Sequence, residues 1–522
     1  MPDKWSEFQQ YLEDNGIIVP DSLLQLAKFM MKNPTVLLGE SEKAPLDDYK
    51  RELDRLLKKD PDNSILLSER GRICELEQDL ATALVFYQSS LKCGSDNMRT
   101  RFKEAFCLRR LGKSEEALEK FQEFVDVYSK QDMAEEQDWT FVDGLLGSRQ
   151  TAISKEKLLG SMQRNQDYYV DSAIYEMAYI HHDNMRYAEA IAAFKRIEST
   201  SSFYPNGLYG IASSLYAEKK YAEAIEALKQ ALECAPDNWG SWEFLGQIHE
   251  KCEDPDNALG CYRKAMEINP DAKTAIMNAA YILERKGDCA EAVDLIDHNL
   301  LRFTNCPNDY HWLSLLLADC HLDMKNYVEA LAVLDKMEPE ARQNARYWVY
   351  RGLCFSSLDQ LDEGVLCFQK ALEIEPADKC ALRNLADGLM CQKKYEEAAE
   401  AYKRLLENGE NSPQVRGGLA IALAESGHVA EALETFLALK ESNEILPAQG
   451  HFEGHILSLA GQTEKAIDVF EEYLKQDDDE YAMEELIELY KSSGLSSRAA
   501  AWEQRLAKKR EESEDNSNVD PG

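Results

Sequence analysis

The sequence is poor in residues that interrupt helices. Its 522 positions hold 26 glycines and 15 prolines, fewer than average usage gives, which argues against a turn-rich β fold. It is also poor in cations: 59 Lys and Arg stand against 95 Asp and Glu, for a formal net charge of -36. A polyanion of this size repels phosphate backbones and anionic leaflets, so no nucleic-acid partner and no membrane-surface binding are expected. The 13 cysteines are odd in number and contain no C-x-x-C pair, which signals neither a disulfide framework nor a zinc ribbon and fits reduced thiols in a cytoplasmic location. No apolar run approaches the ~18 residues of a membrane span. The start, Met1-Pro2-Asp3-Lys4-Trp5, lacks a basic segment followed by an apolar core, so no export or membrane insertion is expected. P-loop, G-x-G-x-x-G, G-x-S-x-G and H-E-x-x-H motifs are missing too. A non-catalytic protein without cofactor is therefore expected.

What the sequence does contain is itself, repeated. Shifted by 34 residues it places alanine on alanine: Ala83 and Ala117, then Ala190, Ala224, Ala258 and Ala292, then Ala330, Gly364, Ala398, Ala432 and Ala466. Four positions after each stands a ring or a large aliphatic group, as at Tyr87, Phe121, Phe194, Tyr262 and Phe368. Within a repeat, apolar residues recur at positions 4, 7, 8 and 11 and again at 17, 20, 24 and 27, the spacing of two amphipathic helices. In the repeat that begins at Trp239 these include Trp242, Leu245, Gly246 and His249, then Ala258, Tyr262 and Ala265. Small residues at 8 and 20 let the two backbones approach closely while bulky neighbours fill the groove.

The order Trp, Leu-Gly, Tyr, Ala, Phe, Ala and Pro over about four-fifths of the chain resembles the tetratricopeptide repeat. That resemblance implies an all-α, right-handed α-solenoid, a superhelix of stacked helix-turn-helix repeats that binds other proteins. Repeats are expected to start at Ser64, Met98, Asp171, Pro205, Trp239, Lys273, His311, Ala345, Lys379, Pro413, Pro447 and, more loosely, Glu480. The organisation expected is an amino-terminal helical cap over 1–63, with short helices at 5–14, 21–33 and 46–59, then two repeats over 64–131. A degenerate helix pair over 132–170, holding Trp139, Phe141, Leu145, Leu158 and Leu159, precedes nine repeats over 171–479. A last repeat and capping helix fill 480–510, and an acidic, disordered tail occupies 511–522.

At 100° per residue, positions 2, 5, 6, 9, 12 and 13 lie opposite the buried stripe of the first helix and would line an inner, concave surface. A face with no structural duty should be polar. Instead it carries Phe102, Phe106, Tyr175, Tyr179, Tyr209, Tyr216, Phe244 and Tyr281, with Arg72, Arg99, Lys103, Arg109 and Arg110 beside them. Tyr, Phe and Arg combine large contact area with a directional polar group, so these residues are the candidate groove for a protein or peptide partner. Pairing of the cations with Glu69, Glu75 and Glu104 is the structural alternative. Farther along, Arg383, Asn384, Asp387, Gly417 and Gly418 make the same face sparser and more polar. Two signatures of the family fail: the two-carboxylate clamp lacks its flanking Lys and Asn around Asn278 and Asn384, and position 6 carries no asparagine ladder. His451 and His455 have the spacing of a metal-binding pair, but without a third ligand nearby they read as polar groove residues, and no metal is expected. The function expected is an interaction scaffold or adaptor. The alternative is an assembly or secretion chaperone shielding an apolar client segment.

Overall fold

The computed structural model describes residues 43–94, 97–129, 155–337, 339–442 and 451–517, with Ser22, Leu24 and Gln25. All regular structure in these residues is helical, and the chain divides into two compact units, Met1–Ala272 and Lys273–Gly522. In each, helices alternate as A and B within a repeat, every A packing on its own B and on its neighbours. Each unit has the all-α stack of helix pairs that the resemblance implied. In the first unit the A helices are Ser64–Leu76, Met98–Arg110, the carboxyl-terminal part of Lys155–Asp183, Tyr204–Ala217 and Trp239–Lys251, preceded by the cap helix Lys43–Leu57. In the second they include Lys273–Lys286, Ala345–Ser357, Lys379–Cys391, Pro413–Glu425 and Glu480–Ser492.

Several A helices open with a side-chain cap just before the first residue: Asn63, Asn97, Asn238, Asn344, Asp378 and Asp479 each accept a backbone N–H from the first turn. The A-to-B turn has its own signature. Position 15 of all twelve expected repeats has positive φ, at Gln78, Gly112, Met185, Lys219 and Glu253 in the first unit and Gly287, Lys325, Asp359, Lys393, Gly427, Gly461 and Gly494 in the second. This left-handed residue ends helix A and reverses the chain.

Packing within a repeat rests on positions 8 and 24. A Cβ built on Gly246 would meet the Tyr262 ring at 2.7 Å, and one on Gly71 would meet Tyr87 at 2.8 Å. Where position 8 is alanine, as at Ala105, Ala178, Ala212, Ala280 and Ala386, it is fully buried. Cys107, Cys320 and Cys354 are buried as small core hydrophobes, and burial pushes the Cys107 thiol up to about 12.

Some boundaries differ from expectation. Residues 158–159 lie not in a separate helix but in one continuous helix, Lys155–Asp183, that runs into the Asp171 repeat; no glycine or proline stands between Ser161 and Asp183 to stop it. Trp139, Phe141 and Leu145 lie outside the described residues, as do the expected helix at 5–14 and all of the one at 21–33 except Ser22, Leu24 and Gln25. The expected His311 start moves to Pro307, a proline in the first turn of its helix, after a short 3-10 turn, Leu300–Phe303. The Pro447 repeat has its A helix at Phe452–Leu459. The tail expected to be disordered is helical as far as Ser517, continuing Ser496–Ser517.

Two glycine substitutions separate the two constraints. Gly246→Ala should cost about 1 to 3 kcal/mol by forcing the Tyr262 ring aside. Gly287→Ala meets nothing within 4 Å at φ 80°, so its cost, about 1 to 2 kcal/mol, is backbone strain alone. Chemical denaturation of both variants checks this; Tyr262→Leu should relieve the first and leave the second unchanged.

Candidate partner-binding face

The A helices of the first unit bring the predicted aromatics together in a run of ring contacts. Tyr175 and Tyr179 pack edge to face at 4.8 Å between centroids, and both touch Phe194 of their own B helix, at 5.8 and 5.2 Å. One repeat on, Tyr209 and Tyr216 both contact Phe244 of the next A helix, at 5.3 and 5.4 Å. All five rings are half-buried against the core, leaving part of each face accessible. Burial, then a hydrogen bond with Tyr175 and the nearby Tyr175 and Tyr209, push the Tyr179 hydroxyl well above its ordinary range. Burial, then Glu243 and Tyr175, raise Tyr209. These hydroxyls therefore stay protonated at neutral pH and can donate hydrogen bonds.

Phe102 departs from this pattern. It is buried, packing at 5.7 Å on Phe121, 5.9 Å on Phe124 and 5.3 Å on Tyr169, so it belongs to the core and offers no surface to a ligand. The helix Lys155–Asp183 supplies Tyr169, which covers it. Phe106, one turn on, remains half-buried, with Lys103 and Arg110 over its ring at 5.2 and 5.9 Å. Tyr281 lies in the second unit, 41% exposed, against Trp312 at 6.2 Å.

The cations are mostly held by carboxylates of the protein itself. Arg72 bonds Glu69 at 2.8 Å, and the phenol of Tyr49 in the cap helix donates to the same carboxylate. Lys103 pairs with Glu75 at 2.5 Å, and Arg109 pairs with Glu176 while lying over the Tyr179 ring. Arg99 also has an interaction within the protein, and Arg110 is exposed. The structural alternative thus holds for Glu69 and Glu75. Glu176 was not foreseen, although its position announces it: position 12 of one A helix meets position 6 of the next, as for Glu75 with Lys103 and Tyr216 with Phe244.

On the second unit, expected groove positions are likewise occupied. Arg383 binds Glu410, Asp387 accepts the Tyr402 hydroxyl, and Gly418 lies under the Tyr402 ring. His455, 6% exposed, joins three A helices: its Nε2 lies 2.8 Å from Glu425, and its Nδ1 lies 3.2 Å from the Tyr481 hydroxyl and 3.5 Å from Glu485. His451 contacts Asp479 at 2.9 Å. Among the described residues no group of three or more His, Cys, Asp or Glu is arranged to hold a metal ion, and no helix is long and apolar enough to cross a membrane.

A tetratricopeptide repeat model matches residues 201–479, and a second matches 99–130. The chain belongs to the tetratricopeptide repeat family. Among curated relatives, the peroxisomal targeting signal receptor of Saccharomyces cerevisiae is 23% identical over 43% of this chain and 38% of its own length. DnaJ homolog subfamily C member 3 of Gallus gallus is 23% identical over 67% of each chain. The chain spans about two-fifths or less of the length of the first of these relatives. A solved structure, YrrB, described as a TPR protein with an unusual peptide-binding site, is 20% identical over 36% of this chain and 94% of its own, with a TM-score of 0.30.

The buried His455 makes the second unit's stability depend on pH. Burial alone lowers its pKa, but the hydrogen bonds to Glu485 and Glu425 prevail and raise it. A raised histidine stabilises the fold fully below its unfolded pKa of about 6.5 and ceases to as pH rises through the folded value. His451, lowered by burial before its partners act, has the opposite sign: its contribution is present above the unfolded value and lost as pH falls. His455→Gln should therefore destabilise more at pH 6 than at pH 8.5, measured by denaturation at each pH. A pH-independent difference would show that the proton is not shared with Glu425 and Glu485.

Proposed function

We propose that this protein is a non-catalytic scaffold or adaptor that captures an extended segment of a protein partner on the aromatic face of its first compact unit. The observation that carries the reading is the half-buried run of Tyr175, Tyr179, Tyr209, Tyr216 and Phe244 across successive A helices. Such rings lose little side-chain freedom on binding and offer both area and hydroxyl donors. Family membership supports a protein partner, and one relative is by name a receptor for a targeting signal. Because Arg72, Lys103 and Arg109 already bind Glu69, Glu75 and Glu176, the face selects by apolar contact and phenol hydrogen bonds. Charge attraction from this group is reduced to the neighbourhood of the exposed Arg110.

The variants that test this must spare the core. Tyr179 packs on Phe194, so its removal would disturb a repeat interior; the ring contacts of Tyr209 and Tyr216 are with Phe244 and, for Tyr216, Tyr221. Tyr209→Ala with Tyr216→Ala should weaken binding of a partner recovered with the intact chain by roughly 2 kcal/mol, with helicity and melting little changed. The corresponding Phe variants should lose only the hydroxyl share, about 1 kcal/mol. Calorimetric titration reads both, and its stoichiometry separates a one-to-one adaptor from a chaperone holding unfolded client. Undiminished binding by the double Ala variant would remove the assignment.

A further inference from the structure

The second compact unit carries a cleft outside the aromatic face just described, and its origin is a shortened helix. Helix B of the repeat that starts at Pro307 runs only from Tyr327 to Asp335, nine residues, whereas the next repeat's B helix, Leu361–Ile374, has fourteen. The chain covers the difference with a 3-10 turn, Pro339–Gln343. The missing helical turn leaves a cleft of about 610 Å³. Buried Leu315 and Met337 form its floor, and Trp312 and Ile374, 36% and 42% exposed, form its walls. Glu340 and Glu375, both exposed, stand in its lining, which includes no lysine or arginine. Neither carboxylate has an ion pair among the described residues.

Trp312 also touches Tyr281 of the preceding A helix, so the apolar surface continues out of the cleft along that face. Beyond it stand Glu284, Asp319 and Asp323. Burial raises Glu284 and Asp319 and neighbouring carboxylates add to the rise, while Arg346 opposes it at both, Arg285 opposes it at Glu284 and the hydrogen bond from Tyr350 opposes it at Asp319. Large apolar walls with carboxylates and no cation in the lining select for a ligand that brings an apolar anchor and positive charge together. A second copy of this chain, at net charge -36, is repelled by the same carboxylates.

We propose that this cleft is a second docking site, taking a basic peptide segment that inserts one aromatic or large aliphatic side chain between Trp312 and Ile374 and sets a Lys or Arg against Glu340 and Glu375. The site is independent of the Tyr209 and Tyr216 face, and its failure would leave that reading intact.

The test uses the full chain and a labelled ten-residue peptide with one central Phe flanked by Lys in a Gly-Ser background, followed by fluorescence anisotropy. Two control peptides replace the Phe with Ser or every Lys with Glu. The Phe-Lys peptide should bind about tenfold or more tighter than either control and weaken with salt. Trp312→Ala, and separately Glu340→Lys with Glu375→Lys, should each reduce its affinity at least about fivefold while Tyr209→Ala with Tyr216→Ala leaves it unchanged. Should Trp312→Ala lose helicity, Ile374→Ser takes its place. Equal binding of the three peptides, preference for the acidic one, or indifference to the cleft variants would overturn the proposal. So would self-association of the wild-type chain abolished by the Trp312 change, since a second copy would then be the occupant.

Discussion

A ring at position 24 of a repeat requires a neighbour at position 8 with almost no side chain. Tyr262 lies against Gly246 and Phe368 against Gly352, so near that a β-carbon at either glycine would fall inside the ring's contact distance. This close approach fixes the separation of helices A and B. The left-handed residue at position 15 fixes the reversal between them. With separation and reversal set in each repeat, every A helix presents the same outward positions, and a face can be built by changing residues that have no part in holding the pair together.

That regularity explains why contacts between repeats recur at the same place with different chemistry. Position 12 of one A helix meets position 6 of the next: Glu75 with Lys103, Arg109 with Glu176, Tyr216 with Phe244. The first two pairs alternate in sign, while the third replaces charge with aromatic area. Partly exposed ion pairs contribute little to stability; here they also set where the aromatic face begins, because each pair occupies positions that could otherwise meet a ligand. Nearer the carboxyl end His455 makes a related link, standing between Glu425 of the preceding A helix and Glu485 of the following one.

Much of this was legible in the sequence. The alanine register located the A helices at Ser64, Met98, Trp239, Lys273, Ala345, Lys379, Pro413 and Glu480, since a stacked repeat needs its small residues in phase. The turn residue was not legible, because only five of its twelve occurrences are glycine and a lysine or methionine at that site announces nothing. Phe102 was misplaced for a related reason. Helical geometry alone puts position 5 on the open face, but the continuous helix Lys155–Asp183 brings Tyr169 over it, and no repeat pattern marked the part of that helix before Asp171. Within the cationic cluster Arg109 read as a ligand site because its partner is distant in sequence, Glu176 lying beyond a stretch without a clean match to the repeat.

The same comparison locates the places where the repeat leaves surface unpaired. Where helix B keeps its full length and the A helix carries charge at positions 6 and 12, neighbouring repeats satisfy each other, as Lys103 satisfies Glu75. Two departures among the described residues leave apolar surface open. One is aromatic substitution along the A helices, which gives Tyr209, Tyr216 and Phe244 a face with no ionic partner to close it. The other is truncation of a B helix, which exposes Trp312 and Ile374 because the turn replacing the lost residues is too short to cover them. Both leave large apolar groups at the surface of a strongly charged chain, where the hydrophobic effect disfavours them. Neither is needed for stacking, since repeats such as the one beginning at Lys379 stack without an aromatic face or a shortened helix B. The rings of the first unit and the cleft of the second are thus two places, among the described residues, where the architecture gives up packing it could have had, and the proposed partner segments would restore it.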